Sequence, residues 1–174
     1  KDTAEIELDA NGEFVRNPEV DLVKVAVVER HQGTGNVACG FLKGYGIKEG
    51  AVALSIAHDS HNIIVVGVSD EEMEFAVNSL IEQEGGMVLV KEGKVIESMP
   101  MPIAGLMSDQ SGEWVDQKLT DIHEKAYEEL GICGDVEPVM TLCFMSLAVI
   151  PEIKLTDMGL FDVTTFSFIP VEAE

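Results

Sequence analysis

Four apolar runs, each six to eight residues long, follow one another between Leu22 and Val68: Leu22–Glu29, Val37–Leu42, Ala51–Ile56 and Ile63–Val68. They are short, rich in β-branched residues and separated by polar or glycine-containing stretches such as Gly33-Thr34-Gly35-Asn36, which predicts strands joined by short connections. Ahead of them, Glu5-Ile6-Glu7-Leu8 alternates polar and apolar positions, Asn11-Gly12 supplies a turn, and Glu13-Phe14-Val15 follows, so the start reads as a β-hairpin that ends at Pro18.

Helical spacing first appears at Ser69. From there to Glu84, Met73, Ala76, Val77, Leu80 and Ile81 recur on one face, Ser69 and Glu72 make a capping box, and Gly85-Gly86 stops the helix. Met87–Val90 and Val95–Ser98 then pair as a hairpin across Lys91-Glu92-Gly93-Lys94. A second helix is predicted from Glu113 to Leu130, with Trp114, Val115, Leu119, Ile122, Ala126 and Leu130 on one stripe. Pro138–Ile150 is apolar throughout and fits a buried helix or a strand, its Met and Ala content favouring the helix. The tail turns at Gly159 and ends in a last strand over Thr165–Pro170. Between these elements Met99–Ser108 is almost wholly apolar but carries Pro100 and Pro102, which predicts an irregular strand or loop, either an internal core loop or an edge docked on another domain or subunit. The expected fold is α+β, layered, with a mainly antiparallel or mixed sheet and two or three packed helices.

Composition narrows the partners. With 174 residues the chain is large enough for one self-supporting core, and no apolar run approaches the roughly 18 residues of a membrane helix. Eleven basic residues against thirty-two acidic ones give a net charge of −21, which disfavours nucleic acid and anionic membranes as partners. Three cysteines with no CxxC pair fit reduced thiols and a cytoplasmic setting. The chain opens on Lys1 with no initiator Met, as expected of a piece of a longer polypeptide or of a processed chain.

The densest chemistry lies in Ala57-His58-Asp59-Ser60-His61-Asn62, at the joint of the third and fourth apolar runs. His58 and His61 are three apart; on a strand they face opposite ways, and only a turn reunites them. One reading is an Asx or Ser turn in which Asp59, Ser60 and Asn62 bond the local backbone. Others are a ligand site, or a metal held by His31, His58, Asp59 and His61. Ser60 lacks the glycine-flanked elbow of a serine nucleophile. His31 opens another polar loop after a strand. His123, beside the apolar stripe of the second helix, reads as an edge or surface residue.

Five ordered stretches carry a resemblance: Glu29-Arg30-His31-Gln32-Gly33-Thr34-Gly35, Phe41-Leu42-Lys43-Gly44-Tyr45-Gly46, Ala57–Asn62, Pro102-Ile103-Ala104-Gly105-Leu106-Met107-Ser108 and Leu155-Thr156-Asp157-Met158-Gly159-Leu160. Together they are similar to the C-terminal domain of bacterial and archaeal adenine deaminases of the amidohydrolase superfamily. The resemblance implies hydrolysis of adenine to hypoxanthine and ammonia in purine salvage. It places that chemistry in a (β/α)8 barrel whose divalent metal (Fe, Mn or Zn) activates water. No part of that barrel lies in this sequence, so no catalytic residue and no cofactor is assigned here. The expected role is that of an accessory domain, inactive alone, packed against the catalytic barrel of the same polypeptide or across a homo-oligomer interface. Residues 1–20 are expected to end the β-sandwich flanking that barrel, and 21–174 to form the appended domain. His31, His58, Asp59, Ser60, His61 and Asn62 are then candidates for lining the adenine pocket, or for a structural turn at a domain seam. The alternative is a stand-alone purine-binding or oligomerisation module without catalysis.

Overall fold

The computed structural model describes residues 3–172. Its centre is a six-stranded sheet built from β3 (Leu22–Val28), β4 (Val37–Lys43), β5 (Ala51–Ala57), β6 (Asn62–Gly67), β7 (Gly86–Lys91) and β8 (Lys94–Pro100). The strand order is β4-β3-β6-β5-β7-β8 and every pairing is antiparallel. Three hairpins, β3–β4, β5–β6 and β7–β8, therefore lie side by side. One long connection, α1 (Asp70–Glu82), carries the chain from β6 over β5 to β7.

Side chains alternate across this sheet, yet both faces are covered, which is why its central strands read as continuous apolar runs. Ala51, Ala53, Ile63, Val65, Val88 and Val90 pack with Met73, Ala76 and Leu80 of α1. Val52, Leu54, Ile64, Val66, Met87 and Leu89 face the opposite layer, formed by α2 (Gly112–Glu128) and α3 (Pro138–Cys143). The α1 face uses small residues because the helix comes close: a Cβ on Gly67 would lie 2.7 Å from Met73 Cγ and 2.8 Å from Ala51 Cβ. A second sheet of β9 (Ile153–Thr156), β10 (Gly159–Asp162) and β11 (Ser167–Ile169), in the order β11-β10-β9, packs on β3 and β4. The leading hairpin, β1 (Glu7–Leu8) and β2 (Phe14–Val15), forms its own two-stranded sheet. Phe14 stacks on Phe41 at 4.9 Å, and Arg16 Nη2 donates to Ile47 O at 2.9 Å, so the hairpin is fastened to the body.

Three expectations need correction. The capping box of α1 is half made: Ser69 Oγ accepts from Glu72 N at 3.3 Å, but the Glu72 carboxylate accepts from Gly93 N, in the β7–β8 turn, instead of closing back on Ser69. The apolar stretch after Pro138 yields only a six-residue helix. Cys143 O, which would accept from the Leu147 amide in a longer helix, accepts from His58 N at 2.9 Å, and the Leu147 amide turns to Phe144 O. Finally, Met99 and Pro100 pair regularly in the ladder opposite Met87 and Gly86, because β8 is an edge strand where proline is tolerated. The irregular part begins at Met101. Met99 and Met101 belong to the core, whereas Ile103 and Met107, bridged to each other, are exposed.

Gly86 marks a very tight junction, where β7 begins beside β8. Its φ is +108°, and a Cβ there would sit 2.0 Å from Met99 O. Gly86→Ala is therefore expected to cost about 3 kcal/mol in urea unfolding, against about 1 kcal/mol for removing the α1 cap in Ser69→Ala. A Gly86→Ala protein as stable as the parent contradicts this packing.

Candidate functional site

With both sheet faces covered, polar side chains gather where the strands end. The β5–β6 connection is a tight turn: His61 N donates to Ala57 O at 2.7 Å, and His61 takes a positive φ of 55°. The turn brings the two imidazoles together, with ring centroids 5.3 Å apart in an edge-on arrangement. His58 also lies 5.2 Å from the Phe144 ring, just beyond α3. His58 is thus held by its own amide and by an aromatic neighbour.

Arg30, two residues past β3, ties this turn to the others. Its amide donates to Asn62 Oδ1 at 3.3 Å, its Nε to His61 O at 2.5 Å and its Nη2 to Ala104 O at 2.9 Å. The 103–107 turn is anchored from below as well, since the buried Ser55 hydroxyl donates to Gly105 O at 2.5 Å and accepts from Gly86 N at 2.7 Å. Gly105 has to lack a side chain: a Cβ would meet Arg30 Nη1 at 2.9 Å. Glu29 organises the third loop. Its carboxylate accepts from the amides of His31 (2.5 Å), Gln32 (2.7 Å) and Thr34 (3.0 Å) and from the Thr34 hydroxyl (3.0 Å). Those donors, the Thr34 amide foremost, bring its pKa down to about 2.

The six residues singled out in the sequence have different fates. His31 does reach the turn, and its Nε2 donates to Ser60 O at 2.6 Å. Asn62 is buried at the start of β6, where it holds the Arg30 amide. The Ser60 hydroxyl accepts a long bond, 3.5 Å, from Asn62 N. Asp59 is exposed and hydrogen-bonds neither imidazole. Among the described residues, no three His, Cys, Asp or Glu side chains are arranged to hold a metal ion. His61 differs from the rest: its Nδ1 is buried without a hydrogen-bond partner, and burial, followed by His58 and Arg30, lowers its pKa while Asp59 pulls the other way. The cluster thus offers an incompletely bonded imidazole beside His58, which in turn packs on Phe144.

His123 sits elsewhere. Its Nδ1 donates to Leu119 O at 2.6 Å and its Nε2 bonds Glu137, which also caps α3 through the Met140 amide. Sequence reasoning did not single out Glu29, Arg30, Ser55 or Phe144 as site residues. A charged pair closing a strand just before a Gly-Thr-Gly loop is the one signal that pointed to the first two.

Comparison with known proteins places the chain. The family model described as the adenine deaminase C-terminal domain matches residues 1–167, so the chain belongs to that family. It is 69% identical over 173 residues to "Adenine deaminase 2" of Desulfotalea psychrophila, covering 99% of this chain and 30% of that protein. It is 50% identical over 169 residues to the adenine deaminase of Ligilactobacillus salivarius (97% and 29%) and 49% identical over 160 residues to that of Bacillus subtilis (92% and 28%). The chain thus spans about 30% of the length of these curated relatives and corresponds to their C-terminal part.

Two outcomes follow from the loop architecture. Arg30→Ala leaves the carbonyls of His61 and Ala104 without their donor, so it is expected to cost about 1–3 kcal/mol and to speed amide exchange in residues 57–62 and 103–107 together; exchange confined to one loop contradicts the shared tie. Glu29 has a folded pKa below its unfolded one, so its contribution is complete above the ordinary carboxylate range and is lost as pH falls through about 2. The amide resonances of His31, Gln32 and Thr34 are expected to titrate near pH 2; a midpoint at the ordinary glutamate value contradicts the assignment.

Proposed function

We propose that this chain serves as the C-terminal accessory domain of an adenine deaminase, inactive by itself, with the Arg30-tied loops facing the adenine pocket of the catalytic part. The reaction is hydrolysis of adenine to hypoxanthine and ammonia in cytoplasmic purine salvage. Its divalent metal, Fe, Mn or Zn, belongs to the catalytic barrel. The relatives' names and the chain's 30% share of their length support a division of labour in which the chemistry lies outside this domain. Residues 1–20 belong in this proposal to the end of the β-sandwich beside the barrel, a reading supported by the separate two-stranded sheet of β1 and β2.

The observation that carries the pocket-facing role is the convergence of three loops on one end of the sheet through Arg30, with the unpartnered His61 Nδ1 among them. A purine presents donors and acceptors around a flat apolar ring. An imidazole whose pKa burial lowers, an aromatic ring at Phe144 and exposed polar groups at Asp59 and Ser60 suit both properties. Loops fixed by a guanidinium to backbone carbonyls hold such groups in place before the ligand arrives.

Two measurements test the reading. The chain alone, incubated with adenine and added Fe, Mn or Zn, is expected to release no ammonia; turnover overturns the division of labour. In a chimera in which this chain replaces the matching residues of the Desulfotalea psychrophila relative, His61→Ala is expected to lower kcat/KM about tenfold or more, roughly 1.4 kcal/mol of transition-state stabilisation. Unchanged kinetic constants with a lowered Tm reject the pocket role and leave a structural turn.

A further inference from the structure

The central sheet ends in two edge strands, β4 and β8, and they are finished differently. At β8 the bond from Met101 N to Gly85 O fixes the alternation of the ladder, so Met99 and Glu97 bond inward while Pro100 and Ser98 face out. Pro100 has no amide hydrogen, and Ser98 N is taken by Glu97 Oε1 at 2.9 Å. The carbonyl of Ile96, which the register skips, accepts from Lys125 Nζ at 2.8 Å. Such devices close an edge to a further strand.

The other edge has none of them. Glu29 N donates to Asn36 O at one end of the β3–β4 ladder and Gly44 N to Asp21 O at the other. By alternation Ala38, Gly40 and Leu42 bond to β3, whereas the amides and carbonyls of Val37, Cys39 and Phe41 point away from the sheet. Among the described residues none of those outward groups has a hydrogen-bond partner. From Val37 to Leu42 the strand carries no charge, no proline and no bulge, although the chain's net charge is −21. Val37 is 55% exposed, and Cys39 is exposed beside it. An open, uncharged edge of this kind is a template for strand addition.

We propose that β4 pairs with the β4 of a second copy of this chain, antiparallel and about a two-fold axis at Cys39, joining two six-stranded sheets into one. The edge is self-complementary under that axis, as a two-fold interface requires. Cys39 then exchanges both backbone bonds with the second copy's Cys39, and Val37 and Phe41 exchange theirs with the second copy's Phe41 and Val37. Cys39 lies opposite Ala26, which packs in the α1 layer, so these side chains share the α1 side of the sheet, where Val37 and Phe41 form a β-branched–aromatic pair. On the other face Ala38 meets Gly40, the small residue that Leu160 and Leu155 already approach. No like charges are brought opposite each other, and salt screens the remaining repulsion between two acidic copies. The inference stands apart from the accessory-domain reading and from the pocket-facing role of the polar turns.

The alternation supplies the test. In about 0.5 M salt, raising the concentration of the chain is expected to produce dimers in sedimentation and to slow amide exchange at Val37, Cys39 and Phe41 about tenfold or more. Ala38, Gly40 and Leu42, bonded inside the ladder, stay slow throughout. The pairing sets the two Cys39 Cα atoms about 5.5 Å apart, within disulfide reach. In a Cys133→Ser background, which removes the other exposed thiol, diamide oxidation is expected to link the dimer through Cys39. Cys39→Glu, which sets two carboxylates face to face, is expected to leave a monomer with the parent's Tm. Monomers at every concentration, with the three outward amides fast, overturn the proposal whatever the chain does with adenine. Dimers in which those amides stay fast overturn it in favour of another face. Slow outward amides in a monomeric chimera overturn it in favour of a strand from the catalytic part.

Discussion

A sheet whose two faces are both covered meets the outside only at its strand ends and its edges. That constraint organises everything else in this domain. Residues alternating along β5, β6 and β7 enter two separate apolar layers, one beneath α1 and one beneath α2 and α3. No face is left for a binding surface of the kind antiparallel sheets often present. Chemistry-bearing side chains therefore collect in the turns. The turns in turn need their own fastening, because short polar loops order themselves only where backbone carbonyls and amides find fixed partners.

Arg30 supplies much of that fastening at one end. A planar guanidinium with several donors bridges carbonyls from turns far apart in sequence, which an ammonium cannot do with the same geometry. Ser55 and Gly105 complete the arrangement from inside: the hydroxyl fixes the turn, and the missing side chain lets the guanidinium approach. At the other end, the groove walled by Phe41, Leu42, Leu155, Leu160 and Ile169 is mostly apolar. The two ends thus present different chemistry, polar and preorganised at one and mostly apolar at the other.

Much of the fold was legible because apolar runs and helical spacing report burial directly. The four runs from Leu22 to Val68 are β3 to β6, and the stripe from Trp114 to Ala126 lies on α2, with Ile122 and Ala126 fully buried and Leu130 buried just past the helix end. Where reading stopped short, a tertiary contact had overruled a local one. The helix after Pro138 ends because His58 claims the Cys143 carbonyl, a contact between residues 85 positions apart in sequence. Glu72 leaves its capping box for the Gly93 amide for the same reason. At the site, residue type pointed to His58–Asn62, but the tie through Arg30 runs mostly to backbone carbonyls, and a carbonyl is present at every position. No residue pattern can mark which one is used.

In the proposed arrangement the polar turns at one end of this sheet face the catalytic part of an adenine deaminase. Ser60 is exposed at the tip of the β5–β6 turn, so a photoreactive side chain placed there in the chimera reports directly on what it faces. Crosslinks to peptides of the catalytic part, diminished when adenine is bound, are the predicted result. Crosslinks confined to this domain's own residues, with or without adenine, would contradict the claim.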